Sequence, residues 1–232
     1  MSDQLRKTTG ESETGGHRAA PVPSPGQTQQ DEPVLAAVPV TGRAAERASA
    51  RVVDFVAPTE DLSEDETLTA GFKAAFGDHP AGIAIITAAG PDGPVGLTAS
   101  SLSSISARPP ILGFSLQAKR GSAAVVADAE SFLVHFLDAD NVDLARVFSV
   151  SGAPRFGPDM AWQQLVTGEP RLLGVRRVLR AVPLARIKAG PALVFNAAVV
   201  EILGESGSGE PLVYHHRKFH GLSPRSVIDE QQ

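Results

Sequence analysis

Cysteine is absent from the 232 residues. That excludes disulfides, thiolate metal sites and a cysteine nucleophile together. Aromatic residues make up only 5% of the chain, with one Trp and one Tyr, and none occurs before Phe55. Long apolar runs are missing as well. The longest apolar-rich segment, ALVFNAAVVEIL at 192–203, falls short of the ~20 residues a spanning helix requires, so no membrane partner is expected. Charge of one sign is not concentrated either: 21 basic and 26 acidic residues give a net charge of -5. With no basic stripe, a nucleic-acid partner is not expected. The opening residues MSDQLRKTTGESETGG lack the charged-then-apolar pattern of a secretory signal, and a cytoplasmic location is expected.

What is present divides at about residue 58. Residues 1–58 are rich in Pro, Gly, Ser, Gln and charge, a composition that buries too little apolar area to offset its ordering entropy. A disordered N-terminal extension is expected there, with one globular domain over 59–232. Ser63 and Glu66 have the spacing of a capping box, and Leu68, Phe72, Ala75 and Phe76 recur at helical spacing up to Gly77. AGIAIITA (81–88) reads as one buried strand, and PDGP (91–94) as the turn of a hairpin. ILGFSL (111–116) and FLVHFL (132–137) read as strands. Short helices are expected through Val125 and Val126 and over VDLARVFS (142–149). A strand with interruptions is expected over 172–187, a turn over 188–191, a strand over 192–203 and a short strand at PLVYH (211–215). Many short strands with few helices imply a mainly β, mostly antiparallel closed barrel with flanking helices.

Chemistry concentrates in PVGLTASSLSSISARPP (94–110). Thr98, Ser100, Ser101, Ser103, Ser104 and Ser106 put six hydroxyls into nine residues. A buried hydroxyl without a partner costs about 1–3 kcal/mol, so this stretch needs either water or a polar ligand. The residues alone leave open a solvated serine-rich loop and the wall of a ligand site.

This stretch resembles the signature of the flavin-reductase-like family, FMN-binding split barrels that read G-[MF]-[TA]-x-[NSQ]-S-[FL]-x-[SA]-[VL]-S-x-x-P-P here. The likeness extends from Leu68 to Leu222. It implies hydride transfer from NADH or NADPH to FMN or FAD, a homodimer whose partner subunit completes the flavin groove, and a separate monooxygenase that receives reduced flavin. It implies no catalytic side chain, because the flavin carries the reaction. By motif it places Gly96, Leu97 and Thr98 beside the flavin ring, and Ser100 and Ser101 on the ring or ribityl chain. Ser115, Leu116 and Gln117 follow on the next strand. Lys119, Arg120, Gly121 and Ser122 lead into a helix N-terminus suited to phosphate. Phe148 matches a position near the flavin, and Arg155-Phe156 a pair at the site entrance. Tyr214, Arg217 and Phe219 match a C-terminal segment on the NAD(P)H side.

The chain departs from the family on that same side. Where Gly-Asp-His is common the chain reads Lys188-Ala189-Gly190-Pro191-Ala192-Leu193, with Pro191 where His is expected, and Asn196 stands where glycine is common. A flavin-binding module without reductase activity, acting as carrier, sensor or assembly partner, is therefore the second reading. Related barrels that oxidise pyridoxine phosphate would need a dense basic cluster, which is missing. His215, His216 and His220 are not expected to bind metal, since adjacent strand residues face opposite ways. His79 reads as a turn or cap residue.

Overall fold

The computed structural model describes residues 65–117, 120–204, 207 and 209–228. The expected extension 1–58, Ser63 and Lys119 lie outside them. The chain opens with α1 (Glu66–Asp78), capped by Asp65, whose carboxylate accepts from the Thr67 and Leu68 amides. His79 closes it as the C-cap. The cap is thus Asp65 rather than Ser63.

Seven strands form the main antiparallel sheet: β2 (Ala84–Gly90), β3 (Gly93–Ala99), β4 (Ser103–Ala107), β5 (Pro110–Leu116), β6 (Phe132–Phe136), β9 (Arg177–Ala189) and β10 (Ala192–Gly204). Their order is β3-β2-β6-β9-β10-β5-β4. A small sheet holds β1 (Ala81–Gly82), β11 (Leu212–His215) and β12 (Lys218–Gly221), and β7 (Trp162–Gln164) pairs with β8 (Pro170–Leu172). Two helices, α2 (Ser122–Asp128) and α3 (Val142–Ser149), complete the fold. No helix among the described residues is long and apolar enough to cross a membrane.

Two strands at opposite edges of the main sheet, β3 and β4, are joined by only three residues, Ser100 to Leu102. So short a link forces the sheet to curl until the end of β3 lies near the start of β4, although the two edge strands do not pair with each other. Ser101 prolongs the β4–β5 pairing beyond Ser103: its hydroxyl donates to the Ser115 carbonyl at 2.9 Å and accepts the Ser115 amide at 3.0 Å. The long β9–β10 pair has two register shifts, one beside Asn196 and Ala197 and one between Val199 and Glu201. Such bulges bend a strand and increase its twist. Pro183 sits at the first, where a missing N–H is tolerated.

Successive strand residues point to opposite faces, and here both faces are covered. Ala84, Ile86 and Ala88 of β2 join Phe114, Phe132, Val134 and Phe195 in the inner cluster. The Phe114 and Phe195 rings stack with centroids 4.6 Å apart, and Phe132 meets Phe114 edge-on at 5.3 Å. Ile83 and Ile85 join Leu133, Phe148, Leu172 and Val178 in the outer cluster, beneath α3. This two-sided burial explains why AGIAIITA reads as an unbroken apolar run. The strand itself breaks at Ile83, so that β1 pairs with β11 rather than continuing β2.

A further expectation is corrected. The apolar face of α1 does not pack into the domain: Leu68, Phe72 and Phe76 are each more than 60% exposed. The serine-rich stretch, which the residues alone leave open between a solvated loop and the wall of a ligand site, is reached by solvent along most of its length. Ser100, Ser101, Ser103 and Ser104 are exposed and Ser106 is half-buried, because β4 is an edge strand.

Candidate functional site

The β3–β4 link faces the small sheet, and a cleft of about 710 Å³ opens between them. That lies within the roughly 300–1,000 Å³ usual for small-molecule sites. One wall carries Ser100, Ser101, Leu102 and Ser115; the other carries Tyr214, His215, His216 and Arg217. Phe76 and His79, at the end of α1, close a third side. Residues expected to touch flavin and residues expected to touch NAD(P)H thus meet in one space. The Ser101 hydroxyl is engaged by the Ser115 backbone, whereas Ser100 is exposed to the cleft. Gln117 is exposed where β5 ends.

A second group of expected residues lies on the outer side of β3 and is engaged within the fold. The Thr98 hydroxyl donates to the Ala145 carbonyl at 2.8 Å and ties β3 to α3. Gly96 is buried against Phe148: a Cβ there would lie 2.6 Å from Phe148 Cε1. Phe148 is 1% exposed and part of the outer cluster. Leu97 and Leu116 pack with the inner cluster. The Ser122 hydroxyl accepts from Arg155 at 3.2 Å. Since the structure requires glycine at 96 for packing, Gly96→Ala is expected to cost about 1–3 kcal/mol by overpacking. A lowered denaturant midpoint, without flavin present, checks it.

Sequence reasoning undervalued Arg155. Its guanidinium donates to the carbonyls of Gly96 (3.1 Å), Phe148 (3.3 Å), Val147 (3.4 Å) and Val150, besides Ser122, and lies 5.4 Å from the Phe148 ring centroid. It joins β3, α2 and α3 behind the cleft. Phe156 follows with φ 59° and its ring meets Phe148 and Trp162 edge-on. The signal was the lone arginine before a phenylalanine in a Gly- and Pro-rich loop.

The histidines are corrected in one respect. His215 and His216 do not face opposite ways, because His216 belongs to a turn; their ring centroids are 4.1 Å apart. They hold the end of α1. A His215 ring nitrogen lies 3.1 Å from the Asp78 carbonyl, and the His216 amide donates to the Gly77 carbonyl at 3.3 Å. Among the described residues, no cluster of three or more His, Asp or Glu is placed to hold a metal. Two ionisable side chains, His135 and Glu169, are deeply buried away from the cleft. Burial pushes His135 down to about 4; its rings nitrogens meet the Ile85 carbonyl at 3.2 Å and the Leu172 amide at 3.0 Å. For Glu169, burial alone pushes the carboxyl up, but hydrogen bonds from Ser131 and Thr167 and the charge of Arg180 hold it below its usual value.

A mainly β fold of antiparallel sheets with flanking helices is the fold of solved flavin reductases. Residues 76–223 match the family described as a flavin reductase like domain, and the chain belongs to that family. It is 34% identical over 176 residues to an NADH:FMN oxidoreductase of Rhodococcus qingshengii, spanning 74% of this chain and 91% of that protein. It is 32% identical over 155 residues to the reductase component of a 4-nitrophenol 4-monooxygenase/4-nitrocatechol 2-monooxygenase of Rhodococcus opacus, spanning 67% and 82% respectively. Among solved structures, a flavin reductase domain protein from Arthrobacter sp. FB24 superposes with a TM-score of 0.64 at 31% identity, over 71% of this chain and 99% of that one.

Proposed function

We propose that this protein is an NAD(P)H:flavin oxidoreductase that passes reduced flavin to a separate oxygenase. The observation that carries this reading is the single cleft shared by the Ser100–Ser101–Ser115 wall and the Tyr214–Arg217 wall. Its volume and its hydroxyl and cationic lining fit a flavin ring with a nicotinamide beside it. Bound flavin, FMN or FAD, supplies the hydride-accepting chemistry. The chain's part is binding and orientation: Ser100 offers a hydrogen bond to the flavin, Tyr214 an aromatic face and Arg217 a positive charge. No side chain needs to move a proton for this reaction, so a cleft without an acid–base pair is consistent with it.

The protein works in this reading as a homodimer. The exposed α1 face of Leu68, Phe72 and Phe76 favours it, as does the position of Phe76 at the cleft rim. Light scattering of the full chain is expected to give twice the monomer mass.

The deciding experiment is NADH and NADPH oxidation by purified protein with FMN, FAD or riboflavin, followed at the nicotinamide absorbance. Turnover is expected and reveals both cofactor preferences. Flavin binding without turnover would instead favour the non-catalytic flavin module. One observation supports that second reading: Pro191, at the tip of the β9–β10 hairpin, neither donates a hydrogen bond nor carries charge.

A further inference from the structure

Hairpin β11–β12 turns on two residues, His216 and Arg217, because His215 pairs with Lys218. Both have positive φ, 47° and 59°. Two-residue hairpin turns of this hand are ordinarily filled by Asn-Gly or Asp-Gly, since larger side chains are disfavoured in the left-handed region. Here the fold carries a histidine and an arginine where the backbone prefers asparagine and glycine.

For His216 the surroundings supply a reason. Its amide donates to the Gly77 carbonyl, and its Nε2 lies 3.3 Å from Asp78 Oδ1, so it locks the turn onto α1. Arg217 has no comparable role. It is exposed, and its guanidinium has no hydrogen bond or ion pair with any of the described residues. It lines the cleft together with Tyr214, Ser100 and Ser101. The nearby carboxylate, Asp78, is already occupied by His216. Strain kept at a residue that does nothing for the fold points to a ligand.

We propose that Arg217 is held in this turn to bind the phosphate oxygens of a nucleotide entering the cleft. The guanidinium is planar, permanently charged and shaped for two-point contact with an oxyanion. His79, on the same cleft, adds a ring N–H donor. The inference rests on the flavin reductase reading and adds which chemical group the hairpin recognises. That group is either the phosphate of the flavin or the pyrophosphate of the hydride donor, and one variant separates the two.

The variant is Arg217→Gly, which removes the guanidinium and gives the turn a residue it prefers. Three quantities are compared with the unaltered protein. The first is Tm. The second is affinity for FMN relative to riboflavin. The third is kcat/KM for NADH relative to dihydronicotinamide riboside, which has no phosphate. An unchanged or higher Tm is expected, with one of the two ratios falling about tenfold or more, the worth of a charge-assisted contact. A fall in the NADH ratio assigns the donor's pyrophosphate; a fall in the FMN ratio assigns the flavin phosphate. Both ratios unchanged would overturn the proposal, and so would a lowered Tm, which would mean that Arg217 serves the fold. Should the unaltered protein fail to oxidise NADH, the reductase reading falls by itself. Equilibrium binding of FMN against riboflavin, and of NAD+ against nicotinamide riboside, then decides the phosphate site by the same ratios.

Discussion

Arg155→Met is expected to destabilise the protein by about 3 kcal/mol, because it strips the donors from a set of carbonyls that water reaches poorly. For a domain of this size that corresponds to a Tm lowered by roughly 6–12 °C. Methionine keeps much of the side-chain volume, so the loss reports hydrogen bonding more than packing. Gly96, Phe148, Val147 and Val150 would each lose a donor to their carbonyl oxygen, and Ser122 would lose its tie to the loop. Arg155→Lys is expected to recover only part of the loss, since one ammonium does not span β3, α2 and α3 as the guanidinium does. Differential scanning calorimetry checks both variants. A Met variant as stable as the parent would mean that the loop holds its place by Phe156 and Trp162 alone.

The second large effect is a dependence on acidity. His135 is fully buried, with one ring nitrogen donating to the Ile85 carbonyl and the other accepting the Leu172 amide. Both bonds together require the neutral ring. Burial, above all, pushes its pKa from 6.5 down to about 4, with the positive charge of Arg171 acting in the same direction. The unfolded chain therefore takes up a proton before the folded one does. Stability is fully present above pH 6.5 and is lost as pH falls towards 4, by about 3 kcal/mol across that window. Glu169 adds to the loss only from its ordinary value of 4.5 downwards, where the unfolded carboxyl takes up a proton and the folded one, held lower, does not. Urea midpoints measured from pH 7 to pH 4 check the slope. In His135→Leu the slope over this window is expected to flatten, at a cost in stability of about 2 kcal/mol for the unpaired Leu172 amide.

Much of the fold was legible because the relevant patterns are local. VDLARVFS is a helix over the same eight residues that its spacing suggested, and the turn at Pro91 and Asp92 joins β2 to β3 as expected. The strands β5, β6 and β10 also fall where apolar runs placed them. What escaped was set by distant partners. Nothing in AGIAIITA signals that Ile83 separates two sheets; that follows from Leu137 and Leu212, whose backbones pair with it. The strands of WQQ and KFHG are short and hardly apolar, so only their pairing reveals them. The site divides in the same way. Ser100, Ser101, Ser115, Tyr214 and Arg217 were named from sequence and share the cleft. Thr98, by contrast, spends its hydroxyl on α3 and Gly96 its empty space on Phe148, and neither partner is foreseeable from the serine-rich stretch itself.

The three residues that join β3 to β4 also order events in time. Hairpins β2–β3, β4–β5 and β9–β10 each close on short loops and form from local chain. Bringing the β2–β3 hairpin near the β4–β5 hairpin is different: it waits for β6, β9 and β10 to take their places between them, although the two hairpins adjoin in sequence. Seating the small β1–β11–β12 sheet, the other wall of the cleft, is likewise a long-range step, since Ala81 pairs with Tyr214. Because the cleft exists only when both walls are in place, any molecule it binds draws the chain towards the assembled fold by mass action. Hydrogen exchange at the Ile83 amide, which donates to the Leu212 carbonyl beside that wall, times the opening directly. Cofactor occupancy and assembly of the cleft walls are then one equilibrium observed from two sides.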